Sequence, residues 1–313
     1  MRALPRGWAL MGRERDGTRK PGSEQTAGIL LLLGGIFTFT LMDATAKYLG
    51  QFYPTGQIVW ARFAGNLVLV LLILRGRVPV LMRSAQPWLQ LARAVTGLAS
   101  AVLFISSLQY IGLAEATAIM DINPVLITLG AALFLGEPIG WRRILGIAVA
   151  FLGAMIIIRP GQGVFHPAAI LPLLGAFTYA ANALLTRVLR GDAMATSILW
   201  TCFVGTGLTS LVLPFVWQPV AVAHLWAFVL IGMLGALAHA LLIRAFALAE
   251  AAAIAPFGYT GLIWAGLWGW LFWGVLPDLW TVIGAGVIVA AGLYVWAREA
   301  AAMRITRKKD SAA

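Results

Sequence analysis

The chain of 313 residues has one cysteine, three histidines and few charges, with Asp, Glu, Lys and Arg together making up 11%. A single Cys202 excludes an internal disulfide, and three scattered histidines give it no company for a metal centre. No metal and no cofactor is expected. A Gly-x-x-x-x-Gly-Lys-Ser/Thr loop is absent, which argues against ATP hydrolysis by the chain itself. Neither Gly-x-Ser-x-Gly nor His-Glu-x-x-His occurs, so a nucleophile triad or a zinc hydrolase is hard to assemble.

Hydrophobic residues are abundant instead, at 61%, where soluble domains have roughly 45–50% apolar and 25% charged residues. Such a chain is an integral membrane protein. Apolar runs long enough to cross about 30 Å of hydrocarbon as helix fall near 27–49, 56–74, 90–110, 114–135, 142–158, 168–189, 195–217, 222–246, 251–274 and 279–297. Their length, and the lack of a two-residue alternation, fit helices and not barrel strands. The fold class expected is an all-α membrane protein with ten spans.

The net charge of +11 is read by its placement. Basic residues gather in the first twenty positions, then at Arg75, Arg77, Arg83 and Arg93, at Arg142 and Arg143, at Arg187 and Arg190, at Arg244, and from Arg298 to Lys309. These are every second connection, the pattern of the positive-inside rule, so both termini are expected in the cytoplasm and the localisation is the cell inner membrane. No basic and aromatic surface is concentrated in one soluble module, so a nucleic-acid partner is excluded. Residues 1–26 are polar and basic with no short apolar core and cleavage site, and are read as a disordered cytosolic tail. Met11 is an alternative start. The last segment, 299–313, is read as a second cytosolic tail.

The sequence repeats itself. Leu113 to Ile119 (Leu-Ala-Glu-Ala-Thr-Ala-Ile) returns 135 residues later at Leu248 to Ile254, and Gly35, Phe37, Thr38, Trp60, Phe63 and Gly65 return at an offset of 140 as Gly175, Phe177, Thr178, Trp200, Phe203 and Gly205. This divides the chain into units at 27–159 and 167–298. Each holds five expected spans, and an odd number of crossings inverts the second unit relative to the first, giving a pseudo-two-fold axis in the membrane plane. Asn123-Pro124 and Pro256-Phe257-Gly258 interrupt spans four and nine at comparable places. Proline removes a backbone donor, and backbone freed in hydrocarbon has to face a cavity or another helix.

The segments Gly112-Leu-Ala-Glu-Ala-Thr-Ala-Ile, Asn123-Pro-Val-Leu-Ile-Thr, Phe134-Leu-Gly-Glu-Pro138 and Arg143-Ile-Leu-Gly-Ile-Ala-Val-Ala-Phe-Leu-Gly153 together resemble the ten-helix, EamA-type members of the drug/metabolite transporter superfamily. The similarity runs from about residue 27 to 298. It implies a secondary transporter that moves a small organic metabolite across the cytoplasmic membrane, with helices five and ten peripheral and the others around a central cavity. One departure is visible: Gly136-Glu137 in the first unit is answered by Gly274-Val275 in the second. Glu137 is expected to cap or position the inner end of helix four.

Charges inside spans cost on the order of 2.5–3.5 kcal/mol on insertion scales, so the few present are the candidates. Asp43, Arg62 and Asp121 share a depth in the outer half, and the repeat places Ala183, Cys202 and Pro256 at their equivalents. That asymmetry favours substrate or proton handling by Asp121 and Arg62. Asp43 has Lys47 four residues on, and the two can simply pair. Glu115 and Glu250 recur at the starts of helices four and nine, where a carboxylate complements the helix dipole; with Pro124 and Pro256 they are also the gate candidates. Asn123 orients a ligand or satisfies backbone freed by Pro124. Tyr259 needs a partner for its hydroxyl, and Trp264, deep in its span, either lines a cavity or packs. Trp268, Trp270 and Trp273 are read as interfacial anchors, and His239 as a hydrogen bond between helices. Gly146, Gly153, Gly284 and Gly292 mark helices five and ten as closely packed, as a homodimer contact would be.

The function expected is secondary active transport of a zwitterionic or planar heterocyclic metabolite, such as an amino acid, S-adenosylmethionine or riboflavin, by alternating access. The partners are that substrate and the lipid bilayer. An intramembrane enzyme and a non-transporting scaffold are the alternatives.

Overall fold

A computed structural model describes residues 21–136, 141–159, 166–249 and 254–310, and among them there is no strand. The helices are α1 (Pro21–Leu49), α2 (Thr55–Leu74), α3 (Val78–Leu81), α4 (Pro87–Ser107), α5 (Leu113–Met120), α6 (Asn123–Leu135), α7 (Trp141–Ile158), α8 (Ile170–Val188), α9 (Met194–Val216), α10 (Leu225–Leu248), α11 (Thr260–Trp273) and α12 (Leu279–Asp310). Eight helical segments among the described residues are long and apolar enough to cross a membrane, with Leu113–Leu135 counted across its break, and Ile144–Ile158 is a shorter apolar helix. A 3-10 turn, Ala255–Tyr259, leads directly into α11. The chain is an all-helical, multi-pass membrane protein.

Boundaries differ from the sequence reading in three places. α1 begins at Pro21, inside the stretch read as a disordered tail; proline is favourable in a first turn, and Glu24 there complements the dipole. α12 continues to Asp310, because residues 298–310 are mostly good helix formers, so the stretch read as a second tail is helical as far as Asp310. The third span is shifted toward its start: Pro87 sits in the first turn of α4, and the Ser107 hydroxyl bonds back to the Phe104 carbonyl at 2.6 Å as the helix ends.

The packing partners follow a pattern. α1 packs on α10 and α4 on α8; α2 packs on α10 and α4 on α9; α8 packs on α6 and α1 on α11; α2 meets α9, α7 meets α12, and α5 meets α11. Exchanging the two sequence units sends α1 to α8, α2 to α9, α4 to α10, α5 and α6 to the 3-10 turn and α11, and α7 to α12. Each contact in that set then lands on another member or on itself.

Small residues set how near the helices come. A Cβ on Gly65 of α2 would stand 2.8 Å from the Gly232 Cα of α10, so there the two backbones touch. Gly153 of α7 and Gly284 of α12 face each other the same way: a Cβ on Gly284 would meet the Gly153 carbonyl at 2.6 Å. Gly146 also lies against Val295 and Gly292 against the Tyr259 hydroxyl, so the close packing expected at these four glycines is made within the chain. Threonine hydroxyls inside the helices bond to their own backbone, as Thr38 does to Gly34 at 2.7 Å and Thr45 to Leu41 at 2.9 Å, which satisfies them without water.

Candidate functional site

The break between α5 and α6 builds the first part of the site. Pro124 has no amide hydrogen for the Met120 carbonyl, so the α-helical ladder gives way to tighter bonds, Ile122 N to Ile119 O at 3.3 Å and Val125 N to Ile122 O at 3.0 Å. Asp121 caps α5 at that point. Its Oδ2 is buried and has no hydrogen-bond partner among the described residues, and the same holds for Asn123 Oδ1, Tyr259 OH and Trp264 Nε1. Tyr259 stands in the 3-10 turn that carries Pro256, the corresponding interruption in the second unit. Both Tyr259 and Tyr179 of α8 lie near enough to Asp121 to feel its charge. Among the described residues the electrostatic neighbours of Asp121 are therefore these two phenols, with no cation among them. Four of the sequence candidates, Asp121, Asn123, Tyr259 and Trp264, thus prove to be buried polar groups left open, and Asp121 and Tyr259 are brought together. Pro124 itself is exposed and Pro256 half-buried.

A second group forms around Arg62 of α2. Its charge partner is Asp43 of α1, and His239 of α10 also lies within its field. Asp43 and Arg62 attract through space without closing a direct contact among the described residues. Both are half-accessible although protein surrounds them, as side chains lining an interior space are.

Pairing of Asp43 with Lys47 is not what holds Lys47. Its ammonium donates to the carbonyls of Leu108 and Ile111, each at 2.7 Å, and lies 5.7 Å from the Trp273 ring centre. Lys47 thereby ties the end of α1 to the turn between α4 and α5. Glu115, in the first turn of α5 as expected, lies in the field of Lys47, Arg159 and Asp278. Arg159 and Asp278 form an ion pair. Burial opposes ionisation of Asp278, yet hydrogen bonds from Thr281 and the Arg159 guanidinium hold its carboxyl below the usual carboxylate range. Glu250 and Glu137 lie outside the described residues.

Two further readings are corrected. Trp268 is buried, donates from Nε1 to Thr40 Oγ1 at 3.1 Å and stacks on Phe272, so it joins α11 to α1 instead of anchoring at an interface; Trp270 is exposed. Trp264 meets Phe37 edge-on at 5.1 Å. His239 bonds through Nδ1 to Gly235 of its own helix at 2.7 Å and touches α1 by its ring, against Phe39, so its hydrogen bond lies within a helix and not between helices.

Sequence reasoning missed Tyr179, although a mid-span phenol needs a partner for its hydroxyl. It also missed two polar networks. At one end Tyr53 bonds to His224 Nδ1 at 2.9 Å and accepts from the Ala221 amide, while Gln57 and Gln218 exchange bonds at 3.0 Å. At the other end Asp192 accepts from Ser84 at 2.5 Å and from Gln90 at 2.9 Å, and buried Arg93 donates to Gln90, to Thr201 at 2.6 Å and to the Ser197 carbonyl. Arg93, counted above with the surface basic residues, is buried at 7% exposure. A shallow groove on α10, lined by Leu225, Trp226, Val229, Leu230 and Met233, is apolar and holds none of these groups.

Open polar groups and a charge pair inside a helical membrane protein are what a polar pathway through the bilayer needs, and the comparisons with known proteins say what kind of protein carries it. The model of the EamA-like transporter family matches residues 26–159. The riboflavin transporter of Rhizobium johnstonii is 31% identical over 293 residues, covering 92% of this chain and 96% of the relative. The pseudopaline exporter of Pseudomonas aeruginosa is 31% identical over 270 residues, at 85% and 94% coverage. The S-adenosylmethionine uptake transporter of Rickettsia felis is 24% identical over 285 residues, at 91% and 96%. A solved crystal structure of a protein shares the fold with a TM-score of 0.60 at 16% identity, over 87% of this chain and 96% of that one. The chain belongs to the EamA-like transporter family; it is a transporter and not an enzyme.

Proposed function

We propose that the chain is a secondary carrier of a small organic metabolite in the cytoplasmic membrane, built as ten spans in two inverted five-helix repeats with both termini cytoplasmic. The repeats exchange conformations to open the site to one face and then the other. The placement of basic residues at alternate connections and the packing pattern that survives exchange of the two units support this arrangement.

The observation that carries the reading is Asp121: a carboxyl with a buried, open oxygen, set at a helix break, with phenols and, among the described residues, no cation beside it. An uncompensated charge in such a place is expensive, and a structural role would have recruited a partner. Substrate or a proton supplies one. Arg62, with Asp43 beside it, receives an anionic group, and Trp264 offers an indole N–H. A pathway carrying both charge signs and aromatic groups suits zwitterionic or planar heterocyclic compounds. The relatives named for riboflavin, S-adenosylmethionine and pseudopaline are consistent with that range, and because their names include both uptake and export they leave direction to the coupling ion. The small-molecule substrate and the bilayer are the partners this function needs.

The test is counterflow in proteoliposomes with labelled riboflavin, S-adenosylmethionine and a panel of amino acids. The reading expects saturable flux of one compound that Asp121→Asn abolishes or uncouples while the variant still inserts and folds. Flux and pH dependence unchanged by Asp121→Asn would remove this residue from the mechanism.

A further inference from the structure

Two more buried polar atoms are without a partner among the described residues: Asn66 Oδ1 on α2 and Thr206 Oγ1 on α9. They are 140 positions apart, the offset of the repeat, and each follows a repeated glycine, Gly65 and Gly205. Their helices pack on each other, with the Phe63 ring seated against Gly205. Asn66 is the twelfth residue of the twenty in α2, and Thr206 the thirteenth of the twenty-three in α9, so both lie near the middle of their helices. Asn66 is one helical turn from Arg62 and therefore on the same face; it is 93% buried, being 7% exposed. Thr206 is likewise one turn from Cys202, the repeat equivalent of Arg62.

Equivalent residues on helices that meet across a pseudo-two-fold axis have a property that pairs not related by the repeat lack. When the repeats swap conformations, each takes the position the other held, so the pair presents the same two groups before and after. We infer that Asn66 and Thr206 form the mid-membrane part of the transport site, taking an N–H or O–H group of the substrate on the Asn66 amide oxygen and the Thr206 hydroxyl in both access states. The inference rests on the carrier reading above. The amide oxygen accepts only, so it takes a substrate N–H or O–H, while the hydroxyl both donates and accepts and can serve the same group as acceptor. Leaving two such buried atoms unpaired is unfavourable, and a ligand that pairs them recovers that loss on binding.

Asn66→Cys, Thr206→Cys and, as a reference, Asp121→Cys are made in the chain whose own Cys202 is buried. Each is treated with a charged, membrane-impermeant methanethiosulfonate in right-side-out and in inside-out vesicles. The expected result is modification above the wild-type background at 66 and at 206 from either face. Labelling of Asp121→Cys from both faces, with one-sided or no labelling at 66 and 206, overturns the pair and leaves the carrier standing. One-sided or absent labelling at all three positions removes both. Position 66 is tightly packed; if that variant does not fold, Thr206→Cys alone decides, since one-sided labelling there already contradicts a shared role.

Discussion

The Lys47 ammonium lies 2.7 Å from the Leu108 carbonyl oxygen, and at the same distance from that of Ile111. These carbonyls belong to the end of α4 and the turn after it, where no backbone amide is left to reach them, so the lysine does what a following helical turn would have done. Charge-assisted hydrogen bonds are worth about 1.5–3 kcal/mol. Lys47→Met is expected to lower stability by about 2–4 kcal/mol, seen as a lower melting temperature of the purified protein in detergent. Lys47→Arg, which keeps the charge and several donors, should recover part of it. If Lys47 instead served Asp43, the double variant Lys47→Met/Asp43→Asn would be more stable than Lys47→Met alone.

Asp192 supplies the pH prediction. The Ser84 hydroxyl, then the Gln90 amide and the Ala85 backbone, hydrogen-bond its carboxylate and hold it below its ordinary range. A carboxyl depressed in the folded state adds stability that is present above its unfolded value, about 3.9, and is lost as pH falls through the lower folded value. Melting temperature should therefore drop as pH falls below about 4, the unfolded value, and Asp192→Asn should flatten that limb. An identical acid limb in the variant would show that the loop between α8 and α9 is not held to α4 by this charge.

The α7 and α12 crossing gives a packing prediction. Gly284→Ala places a Cβ 2.6 Å from the Gly153 carbonyl and 2.5 Å from Ile157 Cγ1, so the helices must part. The cost expected for such overpacking is about 1–3 kcal/mol, read as thermal destabilisation with the oligomeric state unchanged. Loss of a dimer without destabilisation would return these glycines to an intermolecular role.

Much of the architecture is legible because it follows from periodicity and composition. The apolar runs, the two proline interruptions and the repeat reach the eye directly, and the breaks carry Asp121 and Tyr259 as their position suggests. What escapes is whatever depends on partners without a sequence signature. Backbone carbonyls are invisible as acceptors, so Lys47 is assigned to the nearest carboxylate in sequence, Asp43. Trp268 is placed by its distance from a helix end, while Thr40, one turn from Phe37 on another helix, decides its burial. Arg93 resembles the surface basic residues around it until Ser197 and Thr201 of α9 are brought beside it. The glycines of α7 and α12 are rightly read as a close contact, but composition cannot say whether the second surface belongs to the same chain. Asn66 and Thr206 were within reach: the 140-residue offset that exposes the repeat also pairs them.

Exchange of conformation between the two repeats is most directly tested by double electron–electron resonance with spin labels across the two ends, at Arg83 and Gly191 beside the Asp192 network and at Gln51 and Pro219 beside the Tyr53 network. Two distance populations at each end, with the long distance at one end rising as that at the other falls, are the predicted result. Distances that stay single at both ends, or lengthen together, would contradict it.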